Sequence, residues 1–171
     1  AFRVKKPPTF FDCEPIEGEP GWYSWDLKDD TRFNAVVMGR LKVRQEGERA
    51  RLRMMPEQKH TNLQDMIHGA VTLSLIDIAL FSGMHMLRES DAGMAVTLEL
   101  STQFVGGGKV DRPLDAVVEV IRETGRLMFL RGEVVQDPDD SHLVAAFSGI
   151  IRKASPPKGS PSKASPTKAG T

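Results

Sequence analysis

From Ala70 to Leu87 nearly every position is Val, Leu, Ile, Ala, Phe or Met, interrupted by a few small or hydroxyl residues, His85 and one acid, Asp77. A helix that is apolar on most of its faces belongs in a core. Beyond it the period changes. Ala95 to Val105 alternates cleanly and Leu114 to Ile121 more loosely, and Arg126 to Val135 and Leu143 to Arg152 are two further β-rich runs. Upstream, Phe33 to Val43 and Arg49 to Met55 read as a hairpin around the Gln45–Glu48 turn. The connectors Gly106–Lys109, Glu123–Arg126 and Asp137–Asp140 are strong turn signals. Two strands, one long helix and four strands make an α+β pattern with an antiparallel sheet. One buried helix needs more apolar cover than a small flat sheet gives, so a curved sheet wrapped around the helix is expected.

The ends of the chain differ from this middle. Residues 1–20 are rich in Pro and Glu and read as an extension lying on the domain, with Phe10 and Phe11 as its anchors. Gly21-Trp22-Tyr23-Ser24-Trp25 marks the entry to a domain spanning 21–153. Residues 154–171 carry a Ser-Pro/Lys repeat without hydrophobic content, and such a composition predicts a disordered, solubilising tail. Binding of a polyanion through Lys158, Lys163 and Lys168, or Ser-Pro phosphorylation, is the weaker reading of it.

Charge narrows the functional classes. Twenty-three basic and twenty-three acidic residues cancel, so no global field draws in nucleic acid or an anionic membrane. The single Cys13 excludes an internal disulfide framework and fits a reducing, cytoplasmic setting. The first residues carry charge but no following apolar run, so no signal peptide is expected. The Ala70–Leu87 run approaches membrane-spanning length, yet an Asp at its centre costs about 2.5–3.5 kcal/mol on insertion scales, and a core helix is the better reading. His60, His85 and His142 lack ligand spacing and acidic companions, so no metal is expected.

Within the apolar helix, a lone acid costs free energy unless it is paired, neutralised or used. Just upstream stand Asn62 and His68-Gly69, an amide, an imidazole and a bare backbone at the expected helix start. If Gly69 and Ala70 open the helix, their N–H groups have no intrahelical partner and carry the positive end of the dipole. Such donors can hold a developing oxyanion. An acid, an amide, an imidazole and free backbone donors are the raw material of acyl transfer.

Asn62, His68-Gly69 six positions on, Ala70, and Asp77 nine after His68, on a loop and long helix between two strands and four, resemble the hotdog-fold acyl-CoA thioesterases, closest to the phenylacetic-acid-degradation type. The likeness covers roughly 21–153, and its second signature glycine is Ala70 here. It implies a thioester hydrolase acting on a medium-chain or aryl acyl-CoA, with no cofactor beyond the coenzyme A of the substrate. Asp77 lies eight residues past Gly69, about 12 Å along the axis, too far to serve its own helix start. Because the long helices of hotdog dimers lie near each other, the resemblance implies a homodimer with shared active sites, assembled into a dimer of dimers.

In that frame Asp77 is a general base on water or a nucleophile. Asn62 orients the water or the carbonyl, and His68 orders the loop or bonds the carbonyl region. Gly69 and Ala70 let the thioester come close, and Thr97 offers a hydroxyl from the first strand after the helix. Phe81 and Met84, with Trp22 or Trp25, would line the acyl pocket, while Arg126, Lys109 and Arg112 are the candidates for the coenzyme A phosphates. Two other readings stand beside this one: a hotdog hydratase or dehydratase, and a non-catalytic acyl-CoA-binding protein.

Overall fold

The computed structural model describes residues 10–90 and 92–154. The repeat tail from 155 onward and the first nine residues lie outside them.

The strands and the long helix follow in chain order: β1 (Phe11–Asp12), β2 (Tyr23–Ser24), β3 (Asp26–Leu27), β4 (Leu41–Glu46), β5 (Arg49–Met54), α1 (Gly69–Arg88), β6 (Val96–Phe104), β7 (Leu114–Glu123), β8 (Leu127–Gln136) and β9 (His142–Arg152). Seven strands form one sheet in the order β2-β4-β5-β7-β8-β9-β6, every pair antiparallel. The sheet wraps the single long helix, as the hydrophobic pattern predicts. Leu52, Met54, Leu114, Ala116 and Val118 point from the sheet into one core with Leu75, Ile76, Ala79, Leu80 and Met84 of α1. By length and composition α1 is apolar enough to cross a membrane. Its apolar residues are spent against the sheet instead.

Two segments depart from the sequence reading. Asn34–Met38, expected as the start of a strand, is a π-helical turn closed by Gly39 at φ 71°. Alternation in a short apolar run cannot separate a strand from a helical turn. The second difference is a small ribbon, β1 paired with β3 at Phe11↔Leu27 and Asp12↔Asp26. The Phe11 ring stacks on Trp25 with centroids 4.6 Å apart, so this phenylalanine anchors the segment as expected. Cys13 is buried beside it, and burial foremost pushes its thiol up to about 11.

The face of the sheet away from α1 is polar. Buried Arg51 reaches Asp115 (2.9 Å), Glu46 (2.8 Å) and, through both terminal nitrogens, Asp140 of the β8–β9 turn (2.9 and 2.8 Å). One guanidinium thereby ties β4, β5, β7 and a turn together. Burial alone would raise the Glu46 carboxyl, but hydrogen bonds from Arg51 and Arg44 outweigh it and hold it below its ordinary value. Nearby, Trp22 lies under Lys42, Arg44 and Arg53, with 4.6 Å from its ring centroid to the Arg44 guanidinium.

Removing one member of such a cluster strands buried charge. Arg51→Met is expected to cost about 3 kcal/mol in urea unfolding, the low end for a broken buried pair, because Arg53 still holds Asp115 at 2.6 Å. The Glu46 contribution is present above the ordinary carboxylate range and is lost as pH falls through its lowered value, so the variant's deficit should shrink in acid. An unchanged midpoint at neutral pH would contradict this account.

Candidate active site

α1 is not covered all round. Ala70, Leu73, Ser74, Asp77 and Phe81, spaced three or four apart, form the stripe that the chain's own sheet leaves open. Asp77 is therefore half-buried rather than buried, which corrects the expectation from composition: the apolar neighbours in sequence point to other faces of the helix. Its Oδ1 accepts a 2.7 Å hydrogen bond from the Thr97 hydroxyl on β6. The strand threonine and the helix acid of the sequence reading thus meet, and Oδ2 has no protein donor among the described residues. No group of three or more His, Cys, Asp or Glu able to hold a metal occurs among those residues.

The carboxylate opens on a groove of about 770 Å³. It is lined by Phe81 and Ile78 of α1 and by Ala92 and Ala95 of the loop after the helix. The ribbon adds Phe11 and Leu27, and Phe10 beside it, to the same lining. Of the expected pocket-lining residues only Phe81 lies here. Met84 and Trp25 are in the core and Trp22 is under the cations of the opposite face. Sequence reasoning does not find Phe11 and Leu27 as lining residues. The paired phenylalanines are visible in the sequence, but two-residue strands leave no periodic trace.

The second half of the predicted site lies at the start of α1. His68 is its N-cap, and its Nδ1 accepts from the Ala70 N–H at 3.0 Å. This corrects the expectation that Gly69 and Ala70 both keep open donors: the imidazole satisfies one of them, as a cap does. The Gly69 N–H has no partner among the described residues. Neither residue adopts a positive φ, so Ala70 meets no backbone obstacle beside Gly69. A Cβ on Gly69 would only touch the Phe104 ring at 3.4 Å. What glycine supplies here is an uncovered N–H.

Asn62 builds the loop before the helix. Its Oδ1 accepts from Gln64 N (2.8 Å) and Met66 N (3.3 Å), closing the turn and leaving its amide nitrogen without a protein acceptor among the described residues. A separate surface depression is lined by Asn62, His68 and their loop neighbours, without Asp77. The same loop is backed by the triple glycine: Ile67 N donates to Gly108 O at 2.8 Å, and a Cβ on Gly108 would lie 2.9 Å from Ile67 Cδ1. The glycines permit a close loop–loop approach rather than cradling phosphate.

The basic candidates scatter. Exposed Lys109 follows that glycine run, beside the His68 pole. Arg112 is held by Asp111 (2.8 Å) and Asp137 (2.6 Å). Arg126 lies in the β7–β8 turn, whose neighbours Glu123 and Arg88 meet near the far end of α1 at 3.6 Å.

A curved antiparallel sheet around one helix, with a carboxylate on the helix's open stripe, is the hotdog architecture. Over residues 64–141, a little under half of its length, the chain is similar to the model of the thioesterase superfamily. Solved structures with the same fold include PaaI of the phenylacetic acid degradation operon of E. coli (20% identity, TM-score 0.59, 71% of this chain and 83% of that one). Zebra fish thioesterase superfamily member 2 aligns at 16% identity with TM-score 0.62, over 74% and 89%. A mutant of the phenylacetic acid degradation protein PaaI from Thermus thermophilus aligns at 22% and 0.58, over 70% and 97%. No curated protein matches the chain.

The cap predicts a measurable separation at His68. His68→Ala should lose about 1 kcal/mol of stability, whereas His68→Asn, also a good cap, should retain it. Equal destabilisation by the two substitutions would show that the Nδ1 bond to Ala70 contributes nothing.

Proposed function

We propose that the protein hydrolyses an acyl-CoA thioester to the free acid and coenzyme A, using Asp77 of one subunit against the helix start of the partner. The observation that carries this reading is the Thr97–Asp77 hydrogen bond: it engages Oδ1, leaves Oδ2 without a protein donor among the described residues, and belongs to a residue that lines the groove. The His68–Gly69 pole, about 12 Å away along the same rigid helix, lines a different depression, and a second chain supplies the missing half. The edge strand β6 supports that assembly. Among the described residues it pairs only with β9, and it exposes Val96, Leu98 and Phe104. A long apolar edge is a template for pairing with another chain. Such dimers would pair again into a dimer of dimers.

In this arrangement the thioester carbonyl lies beside Asp77, and its oxygen accepts from the partner's Gly69 N–H. A water gives a proton to Asp77 Oδ2 as its oxygen attacks the carbonyl carbon. The tetrahedral oxyanion is held by the N–H and by the positive end of the partner's helix. Its collapse breaks the C–S bond, and the thiolate takes the proton from Asp77. Direct attack by Oδ2, giving an anhydride that water then opens, uses the same groups. The partner's Asn62 amide faces the water or the carbonyl, and His68 keeps the loop and helix start in register. Lys109, on the His68 side, would meet the coenzyme A phosphates. The lone buried Cys13 suits a cytoplasmic setting and adds little background to a thiol assay.

Asp77→Asn should lower thiol release from the best acyl-CoA by roughly 10²–10⁴-fold, the usual worth of a positioned base, with the fold unchanged by circular dichroism. Undiminished turnover would remove Asp77 from the mechanism. Mixing inactive Asp77→Asn subunits with inactive Asn62→Ala subunits should restore activity, because one of the two composite sites is then intact. No recovery after confirmed subunit exchange would refute the shared site.

A further inference from the structure

The groove beside Asp77 follows the helix: Asp77, Ile78 and Phe81 line it in succession along α1, on the side of Asp77 away from His68. Phe81 is one turn on from Asp77, about 6 Å along the axis. To this lining the ribbon adds Phe11 and Leu27, with Phe10 beside it. Following Leu27 in the chain, Lys28, Asp29 and Arg32 give the same groove a charged lining, with the Arg32 Nε bonded to Asp29 at 2.7 Å. The apolar lining therefore shares one groove with a carboxylate on the helix and an ion pair beside the ribbon.

The ribbon is held in place. Phe11 pairs with Leu27 across β1–β3 and stacks on Trp25. Lys28 N donates to Phe10 O at 3.1 Å, and Asp26 Oδ1 accepts from Leu41 N at 3.0 Å, tying the ribbon to the start of β4. None of these residues lies within the 64–141 span shared with the superfamily.

We propose that this N-terminal ribbon is the selectivity element of the enzyme, with Phe11 and Leu27 forming the end wall that limits the acyl chain. The inference rests on the thioesterase reading above. An acyl group whose carbonyl sits at Asp77 runs over Phe81 and ends under Phe11. A longer chain must either displace the stacked ring or lay methylenes across the Asp29–Arg32 pair, and both cost free energy. The class of substrate is thus an unbranched or compact acyl group short enough to end inside the ribbon.

The test is a chain-length profile of kcat/KM from butyryl- to palmitoyl-CoA for the wild type and Phe11→Ala. The wild type should fall off beyond an optimum. Phe11→Ala should raise the ratio of lauroyl- to hexanoyl-CoA turnover by roughly tenfold, within the range for methylene discrimination in a hydrophobic pocket. Should loss of the Trp25 stack unfold that variant, Phe10→Ala, which removes a partly exposed ring, should shift the same ratio in the same direction. An identical profile in a folded variant and the wild type overturns the proposal. If the wild type releases no thiol from any acyl-CoA, the thioesterase reading fails separately. The ribbon is then judged by the chain-length dependence of acyl-CoA binding, read from Trp25 fluorescence in a Trp22→Phe background, where an unchanged dependence in Phe11→Ala likewise overturns it.

Discussion

How closely α1 can approach the sheet governs everything else in this molecule. A Cβ on Gly83 would lie 2.6 Å from Val118 Cγ1, and one on Gly149 of β9 would lie 2.5 Å from Leu80 Cδ1. Both glycines therefore act as sockets, one on the helix receiving a sheet side chain and one on the sheet receiving a helix side chain. Protein interiors do not tolerate such overlaps, so the sockets fix the rotation of the helix about its axis. With that rotation set, Leu75, Ile76, Ala79, Leu80 and Met84 turn inward and the Ala70–Leu73–Ser74–Asp77–Phe81 stripe turns out. The opposite rotation would bury Asp77 against leucine and valine, a placement that costs several kcal/mol for an unpaired charge.

A fixed rotation makes the helix a ruler. Its start carries an open N–H at Gly69, and its middle carries the acid, about two turns further along. No side-chain movement closes that gap on a straight rod. The loop before the helix is equally constrained. Asn62 closes its own turn, His68 caps the helix, and Gly107–Gly108 pack beneath Met66 and Ile67. Each pole is rigid by itself, which suits the proposed site, whose two halves would be presented at a set distance by different chains.

Much of this is legible in the sequence because it depends on period. The apolar run from Ala70 to Leu87 and the four alternating runs after it give the helix and long strands to within a few residues. Thr97 and Asp77 are both visible as candidates, and their contact follows from the strand returning beside the helix. What escapes the sequence depends on tertiary context. Two-residue strands such as Phe11–Asp12 have no periodicity to read, so the ribbon shows only as a pair of phenylalanines. The Asn34–Met38 turn shares its residue types with a strand. The half-exposure of Asp77 is hidden because hydropathy sums over all faces of a helix. The capture of the Ala70 N–H is hidden because a histidine is an uncommon cap.

That half-exposure bears on how the proposed site is assembled. A reactive carboxylate works best when water around it is scarce, yet a chain that had to bury one during folding would be destabilised by it. Dividing the site between subunits separates the two demands. The folding chain leaves Asp77 half-solvated, with one oxygen satisfied by Thr97, and places Val96, Leu98 and Phe104 on an unpaired edge. In the proposed dimer those apolar side chains drive the association, and the same step brings the partner's helix start over the carboxylate. Removal of water from Asp77 then occurs only when a hydrogen-bond donor and a positive dipole arrive with it. The apolar area of β6 and the proposed reactivity of Asp77 are in this sense one design, written on neighbouring faces of a strand and a helix.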